Sequence, residues 1–188
     1  MNYVTPIGFR DVISDEALVR EDLTYRVQQC FARHGYSPIE TPTLEVLDVM
    51  EAGGHVPASP FKLFDSRGDL LAMRPDVTMQ IARMCATRIT SFDPAVKLRY
   101  TQRVFREKTA EAAARELTQM GVECLGESGV EADANIIALF SEALAETRIS
   151  EYASPSVLRA CCAILSLAAR WMLAGKTQSI VRSIPRTS

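Results

Sequence analysis

The sequence predicts an α+β fold in which helices flank a mainly antiparallel sheet. Three observations predict it. Residues 97–126, KLRYTQRVFREKTAEAAARELTQMGVECLG, read as two strands joined by a charged loop. Residues 61–73 read as a second, shorter hairpin with Gly68 in its turn. Apolar residues recur at helical spacing before and after these hairpins, at Val19, Leu23, Val27, Cys30 and Phe31 and again at Ile136, Ile137, Phe140 and Leu144.

Composition bounds the rest. A chain of 188 residues can bury the core of one domain, and 47% hydrophobic content suits that. With 21 basic and 23 acidic residues the net charge is −2, which argues against broad nucleic-acid contact. No run is long and apolar enough to span a membrane, and the N-terminal residues lack the basic-then-apolar order of a secretory leader. The five cysteines are odd in number and contain no C-x-x-C, so a reduced, cytoplasmic setting is expected. His34 and His55 are the only histidines, which makes a histidine-based zinc site an unexpected feature.

Taken in order, residues 5–12 (TPIGFRDV) read as an extended lead-in punctuated by proline and glycine. Ser14 is the expected N-cap of a helix over residues 15–34, with Asp15 and Glu16 in its first turn and Gly35 as its left-handed terminator. His34 in the last turn reads as a surface residue complementing the helix dipole. Two prolines four apart make residues 36–46 (YSPIETPTLEV) an extended edge strand. Residues 48–60 read as a loop or a short helix broken at Gly53-Gly54, with His55 on its surface. After the short hairpin, Pro75 ends the strand and a helix follows over residues 78–88, with Val77, Ile81 and Cys85 at helical spacing. A helix over residues 131–146 follows the central hairpin. Residues 148–188 form a second segment: an apolar helix at 157–174, where Cys161-Cys162 fills core, and a disordered tail.

Two places carry candidate chemistry. On the second strand of the central hairpin, Leu117, Gln119, Gly121, Glu123 and Leu125 share one face, because alternate residues point the same way. The opposite face, Thr118, Met120, Val122 and Cys124, suits a core. Gln119 and Glu123 flank a glycine, and glycine inside a strand often marks close approach by a ligand or a neighbouring backbone. With the strand-end Arg106 they could floor a site for a small zwitterion: a carboxylate holds an amine, and a guanidinium holds a carboxylate. A solvated sheet face explains the same residues. Asp76 and Thr78 stand at a strand-to-helix junction, where ligand contact and helix capping are both open.

Read together, these segments resemble the catalytic-domain fold of class II aminoacyl-tRNA synthetases, and within that class the histidyl-tRNA synthetase branch. Residues 35–45 (GYSPIETPTLE) resemble its first, dimer-building motif. Leu71-Ala72-Met73-Arg74-Pro75-Asp76-Val77-Thr78 resembles L-x-x-R-P-[ED]-x-T. Arg103-Val104-Phe105-Arg106, Arg115-Glu116 and Gln119-Met120-Gly121-Val122-Glu123 resemble its second motif. The resemblance covers about residues 5–145. It implies a mixed, mainly antiparallel sheet, a synthetase-like domain over residues 1–147, and a fold incomplete at the C-terminus. Nothing after Thr147 resembles the family's later histidine-specific segment or its third motif.

Two kinds of protein share these segments: histidyl-tRNA synthetases and the regulatory subunits of ATP phosphoribosyltransferase. A working synthetase wants Arg-x-Glu and a basic, glycine-containing loop to hold ATP. Here the run is Arg106-Glu107-Lys108, followed by the loop Thr109-Ala110-Glu111-Ala112-Ala113-Ala114. Less cationic stabilisation for a polyphosphate is the consequence. The resemblance therefore implies a non-catalytic regulatory subunit that partners the short-form catalytic subunit and mediates histidine feedback. The alternative is a truncated synthetase catalytic domain. It further implies that Asp76, Thr78, Arg106, Gln119 and Glu123 contact L-histidine, that the chain is a homodimer within a hetero-oligomer, and that no cofactor, metal, membrane or nucleic acid is involved.

Overall fold

A computed structural model describes residues 5–52, 60–107 and 114–148. Within them run helix α1 (Ser14–Arg33), strands β1 (Ser37–Pro38) and β2 (Leu44–Val46), helix α2 (Leu47–Ala52), strands β3 (Lys62–Phe64) and β4 (Leu70–Met73), helix α3 (Thr78–Arg88), strands β5 (Val96–Phe105) and β6 (Glu116–Leu125), and helix α4 (Val130–Glu146). The expected stretches at His55, in the charged loop over residues 108–113, and over the apolar segment and tail of residues 149–188 lie outside the described residues.

The strands fall into two three-stranded sheets, ordered β1-β5-β6 and β2-β4-β3. The β5–β6 hairpin is antiparallel over ten residue pairs, from Val96 opposite Leu125 to Phe105 opposite Glu116. β1 joins it in parallel, which makes that sheet mixed. The proline-containing stretch divides between the two sheets, because Pro38 and Pro42 remove ladder donors. Its first piece edges β5 and its second edges β4. The 61–73 hairpin forms as expected. Asp65 Oδ1 accepts from the Arg67 and Asp69 amides at 2.8 and 2.9 Å to shape its turn.

Both faces of the hairpin sheet are covered. Met120, Val122 and Cys124 pack on Val27, Cys30 and Phe31 of α1 and on Leu139 and Ala143 of α4. Leu98, Tyr100, Val104 and Leu125 pack on Val77, Ile81 and Cys85 around α3. The face that carries Gln119 and Glu123 is thus an interior-facing one along much of its length, and not a freely solvated surface.

Several local expectations change. Ser14 is the first residue of α1, at φ 51°, and no side chain caps that end. Glu16 in the first turn instead pairs with Arg10 and Arg20, placing charge where the helix dipole favours it. At the other end, Gly35 N–H donates to Ala32 O at 3.0 Å and Tyr36 N–H to Phe31 O at 3.2 Å. That pair of bonds is a Schellman motif, with Gly35 at φ 83°. The lead-in turns at Pro6–Phe9, where the Phe9 amide donates to Pro6 O at 2.9 Å. Beyond it, the Arg115 amide donates to Gly8 O at 2.8 Å.

The buried face of α4 is rotated from the one expected, and that of α1 is the expected one but shorter. Leu139 and Ala143 are the buried residues of α4, whereas Ile137 and Phe140 are exposed. On α1, Val19 is exposed and only Val27, Cys30 and Phe31 are buried. Cross-helix bonds show why: Arg26 and Arg33 reach Glu146, and Arg33 and His34 reach Glu142. The two helices therefore overlap along their C-terminal halves, and the start of α1 extends beyond the cover of α4.

Candidate functional site

The strand-to-helix junction and the hairpin meet at a polar cluster. Pro75 ends β4 and lacks an amide, so the chain turns there and α3 begins at Thr78. Asp76 Oδ1 accepts the Thr78 amide at 2.8 Å, which fixes that turn. Its other oxygen, Oδ2, accepts from Gln119 Nε2 at 3.0 Å. Gln119 Oε1 accepts the Val77 amide at 3.3 Å. Thr78 Oγ1 donates to Glu123 Oε1 at 2.8 Å. So Asp76 fixes its turn, in line with the capping reading, and faces the hairpin at the same time. Asp76, Thr78, Gln119 and Glu123 stand together in one hydrogen-bonded group.

Arg106 borders this group. Its amide donates to Arg115 O at 2.9 Å, closing the base of the hairpin. Its Nε donates to Pro75 O at 3.4 Å, one residue before Asp76. Among the described residues no carboxylate pairs with its guanidinium.

Tyr100 belongs to the cluster and was not among the sequence candidates. It lies opposite Gly121 in the β5–β6 ladder, and its ring covers that glycine. A Cβ on residue 121 would lie 2.5 Å from Tyr100 Oη. The close approach that the strand glycine permits is thus made by this phenol. Gln119 Nε2 reaches Tyr100 Oη at 3.3 Å. The available signal was an aromatic facing a glycine across an antiparallel pair, which requires the register.

The electrostatics are unbalanced toward anions. Burial pushes the Glu123 carboxyl up to about 7, and the neighbouring Asp76 charge adds to the rise, against hydrogen bonds from Thr78 and Tyr100 that favour the ionised form. Burial, followed by the Glu123 charge, likewise raises the Tyr100 phenol. No arginine, lysine or histidine among the described residues makes an ion pair with Asp76 or Glu123. Two half-buried carboxylates, with amide and hydroxyl groups between them, suit an ammonium or imidazolium guest. Arg106 at the edge suits that guest's carboxylate.

Beneath the cluster, Arg74 is buried and purely structural. It donates from Nε to Arg103 O at 2.7 Å and from Nη1 to Thr41 O at 2.6 Å and Pro42 O at 3.1 Å. Its own carbonyl accepts from the Phe105 amide at 2.9 Å. It therefore joins β4, the proline stretch and the end of β5.

A long helix on one face, an antiparallel hairpin with polar side chains turned toward a strand-to-helix junction, and a short second sheet make this a class II aminoacyl-tRNA synthetase-like domain. A family model described as histidyl-tRNA synthetase matches residues 8–169, and the chain belongs to that family. It is 37% identical over 151 residues to an ATP phosphoribosyltransferase regulatory subunit of Ruminiclostridium cellulolyticum, covering 79% of this chain and 36% of the relative. It is also 37% identical over 152 residues to the subunit of the same name in Moorella thermoacetica, covering 78% and 39%. Among solved structures it is similar to an ATP phosphoribosyltransferase regulatory subunit/histidyl-tRNA synthetase from Bacillus halodurans, with a TM-score of 0.72 and 30% identity over 80% of this chain and 39% of that one. A histidine–tRNA ligase subunit from Alicyclobacillus acidocaldarius gives a TM-score of 0.68 at 31% identity, over 78% and 43%. The chain spans under two fifths of the length of the curated relatives named here. No helix among the described residues is long and apolar enough to cross a membrane.

Proposed function

We propose that the chain acts as a non-catalytic regulatory subunit of ATP phosphoribosyltransferase, in the cytoplasm, and that the cluster described above is the floor of an L-histidine pocket. The observation that carries the reading is the pair of partly buried carboxylates, Asp76 and Glu123, without a cation partner among the described residues and with Arg106 at their border. Asp76 and Thr78 meet the α-amino group, Arg106 the carboxylate, and Gln119 and Glu123 the ammonium or the imidazole edge. The names of the relatives support the choice of assembly. The partner is the short-form catalytic subunit, and the chain is a homodimer within that hetero-oligomer. Histidine shifts the assembly toward a less active state, by a coupling free energy of about 1–3 kcal/mol.

The test has two arms. Calorimetric titration with L-histidine gives saturable binding, and Gln119→Ala or Glu123→Ala weakens it by at least about tenfold, the loss of one charge-assisted contact. Mixing with a short-form catalytic subunit gives a complex whose phosphoribosyl transfer becomes histidine-sensitive. Failure to associate or to alter that activity sinks the reading. The likeness to a histidine–tRNA ligase subunit motivates the second reading, a synthetase catalytic domain. Histidine-dependent pyrophosphate exchange would support it, and Lys108 at the adenine-contacting position of the resembled motif opposes it.

A further inference from the structure

A second group of chemistry-bearing side chains gathers between α1 and α4, on the opposite side of the hairpin sheet. Cys30 of α1 and His34, the residue at its C-terminal cap, stand at i and i+4 and so share a side of the helix end. Glu142 of α4 meets them there. The cysteine sulfur, a histidine ring nitrogen and a glutamate oxygen all lie within 4.8 Å of one another. Cys30 is fully buried among Val27, Phe31 and Leu139, whereas the side chains of His34 and Glu142 are each 43% exposed. The result is a buried thiol lying directly beneath nitrogen and oxygen donors that are open to solvent.

We propose that Cys30, His34 and Glu142 form a transition-metal site suited to Zn²⁺, with a water molecule as fourth ligand. These are the three donor types that zinc accepts. Its bond lengths of about 2.0–2.3 Å set tetrahedral donors roughly 3.3–3.8 Å apart. The three donor atoms, all within 4.8 Å of one another, already lie close to that spacing. His34 Nε2 and Glu142 Oε2, now 2.7 Å apart, separate slightly as the ion replaces their hydrogen bond.

The surroundings prepare the ligands. Arg33 donates to Glu142 Oε1 at 3.1 Å and to Glu146 Oε1 at 2.7 Å. It holds the far oxygen of Glu142 and leaves Oε2 turned to His34, an outer-shell orientation of the kind metal ligands need. Glu146 offsets the arginine charge. A thiolate, two carboxylates, one guanidinium and a divalent ion then balance. Binding forms the sulfur–metal bond and releases the Cys30 thiol proton to solvent. Three protein ligands with one open position make an exchangeable site, and one that clamps α1 to α4 when filled.

The experiment is titration of the reduced, metal-free full chain with Co²⁺, followed by displacement with Zn²⁺. One equivalent produces a thiolate-to-cobalt charge-transfer band and the ligand-field bands of a four-coordinate ion. Cys30→Ser abolishes the charge-transfer band. Because Cys30 is buried, that variant alone could fail by misfolding. The surface variants His34→Asn and Glu142→Gln therefore carry the test. Each lowers cobalt affinity by at least about tenfold, with the melting midpoint of the metal-free chain nearly unchanged, since exposed ion pairs contribute little. The Cys161→Ser/Cys162→Ser double variant retains the band. An absent band, one that persists in His34→Asn and Glu142→Gln at full affinity, or one lost with Cys161 and Cys162, overturns the proposal.

Discussion

Glu123 holds its proton more tightly in the folded chain than a free carboxyl does, because it is partly buried beside Asp76. The sign of the pH effect follows. Below the unfolded carboxyl's ordinary value, near 4.5, both states are protonated and the fold bears no cost. As pH rises from there through about 7, the unfolded chain is ionised while the folded one resists, so stability falls, and it levels off above. Glu123→Gln removes this slope. Urea denaturation across that range should show it flattened, with a gain on the order of 1–3 kcal/mol at the alkaline end. The same variant loses the carboxylate proposed for histidine, so stability and binding move in opposite directions. At Gly121 the constraint is space. An added methyl group meets the Tyr100 hydroxyl, and Gly121→Ala should cost about 1–3 kcal/mol in chemical denaturation. Tyr100→Phe in the same chain recovers part of that loss, which identifies the clash.

Arg74 shows what an element boundary depends on. Its guanidinium satisfies three carbonyls from two separate stretches of chain, and burial lowers its pKa without displacing its charge. Arg74→Lys cannot span those acceptors with one ammonium, and Arg74→Met leaves them buried and unpaired. Either change should destabilise by about 3 kcal/mol, read from the denaturation midpoint. The sequence displayed this arginine only as part of a motif. Elsewhere at this scale the elements were legible: α3, the two hairpins and α4 lie within a residue or two of the periodicity that predicts them. That Asp76, Thr78, Gln119 and Glu123 come together was legible because alternation assigns a strand's faces and proline locates a turn. Tyr100 was not, because its role depends on register across a loop whose geometry local sequence does not specify. How far along α1 the buried face extends, and which face α4 buries, were misread for a similar reason. Both helices carry more apolar residues than their overlap covers, and only the partner helix decides which are used.

The molecule leaves apolar surface at the start of α1, where Leu18, Val19 and Tyr25 are each 64% exposed. The homodimer proposed above requires such a surface, and this half of α1 is free of α4. Sedimentation should show self-association that Leu18→Glu weakens at least about tenfold, as expected when an apolar anchor is replaced by a charge. Histidine binding by the separated protomer would place the pocket wholly within one chain.

The bond between the Arg115 amide and Gly8 O ties the order of synthesis to the assembly of the hairpin base beneath the polar cluster. A Cβ at residue 8 would lie 2.6 Å from Arg115 Cγ, so the two segments meet with no spare room. Arg115 also accepts from Arg106, the residue that borders the carboxylate cluster. During translation the first of these partners leaves the ribosome about a hundred residues before the second, and closing a loop of that length carries a large entropic cost. The proposed binding floor can therefore be locked at its base only after Arg115 has emerged. Deleting residues 1–8 should accelerate hydrogen exchange at the Arg115 amide while the amides midway along β5 stay protected.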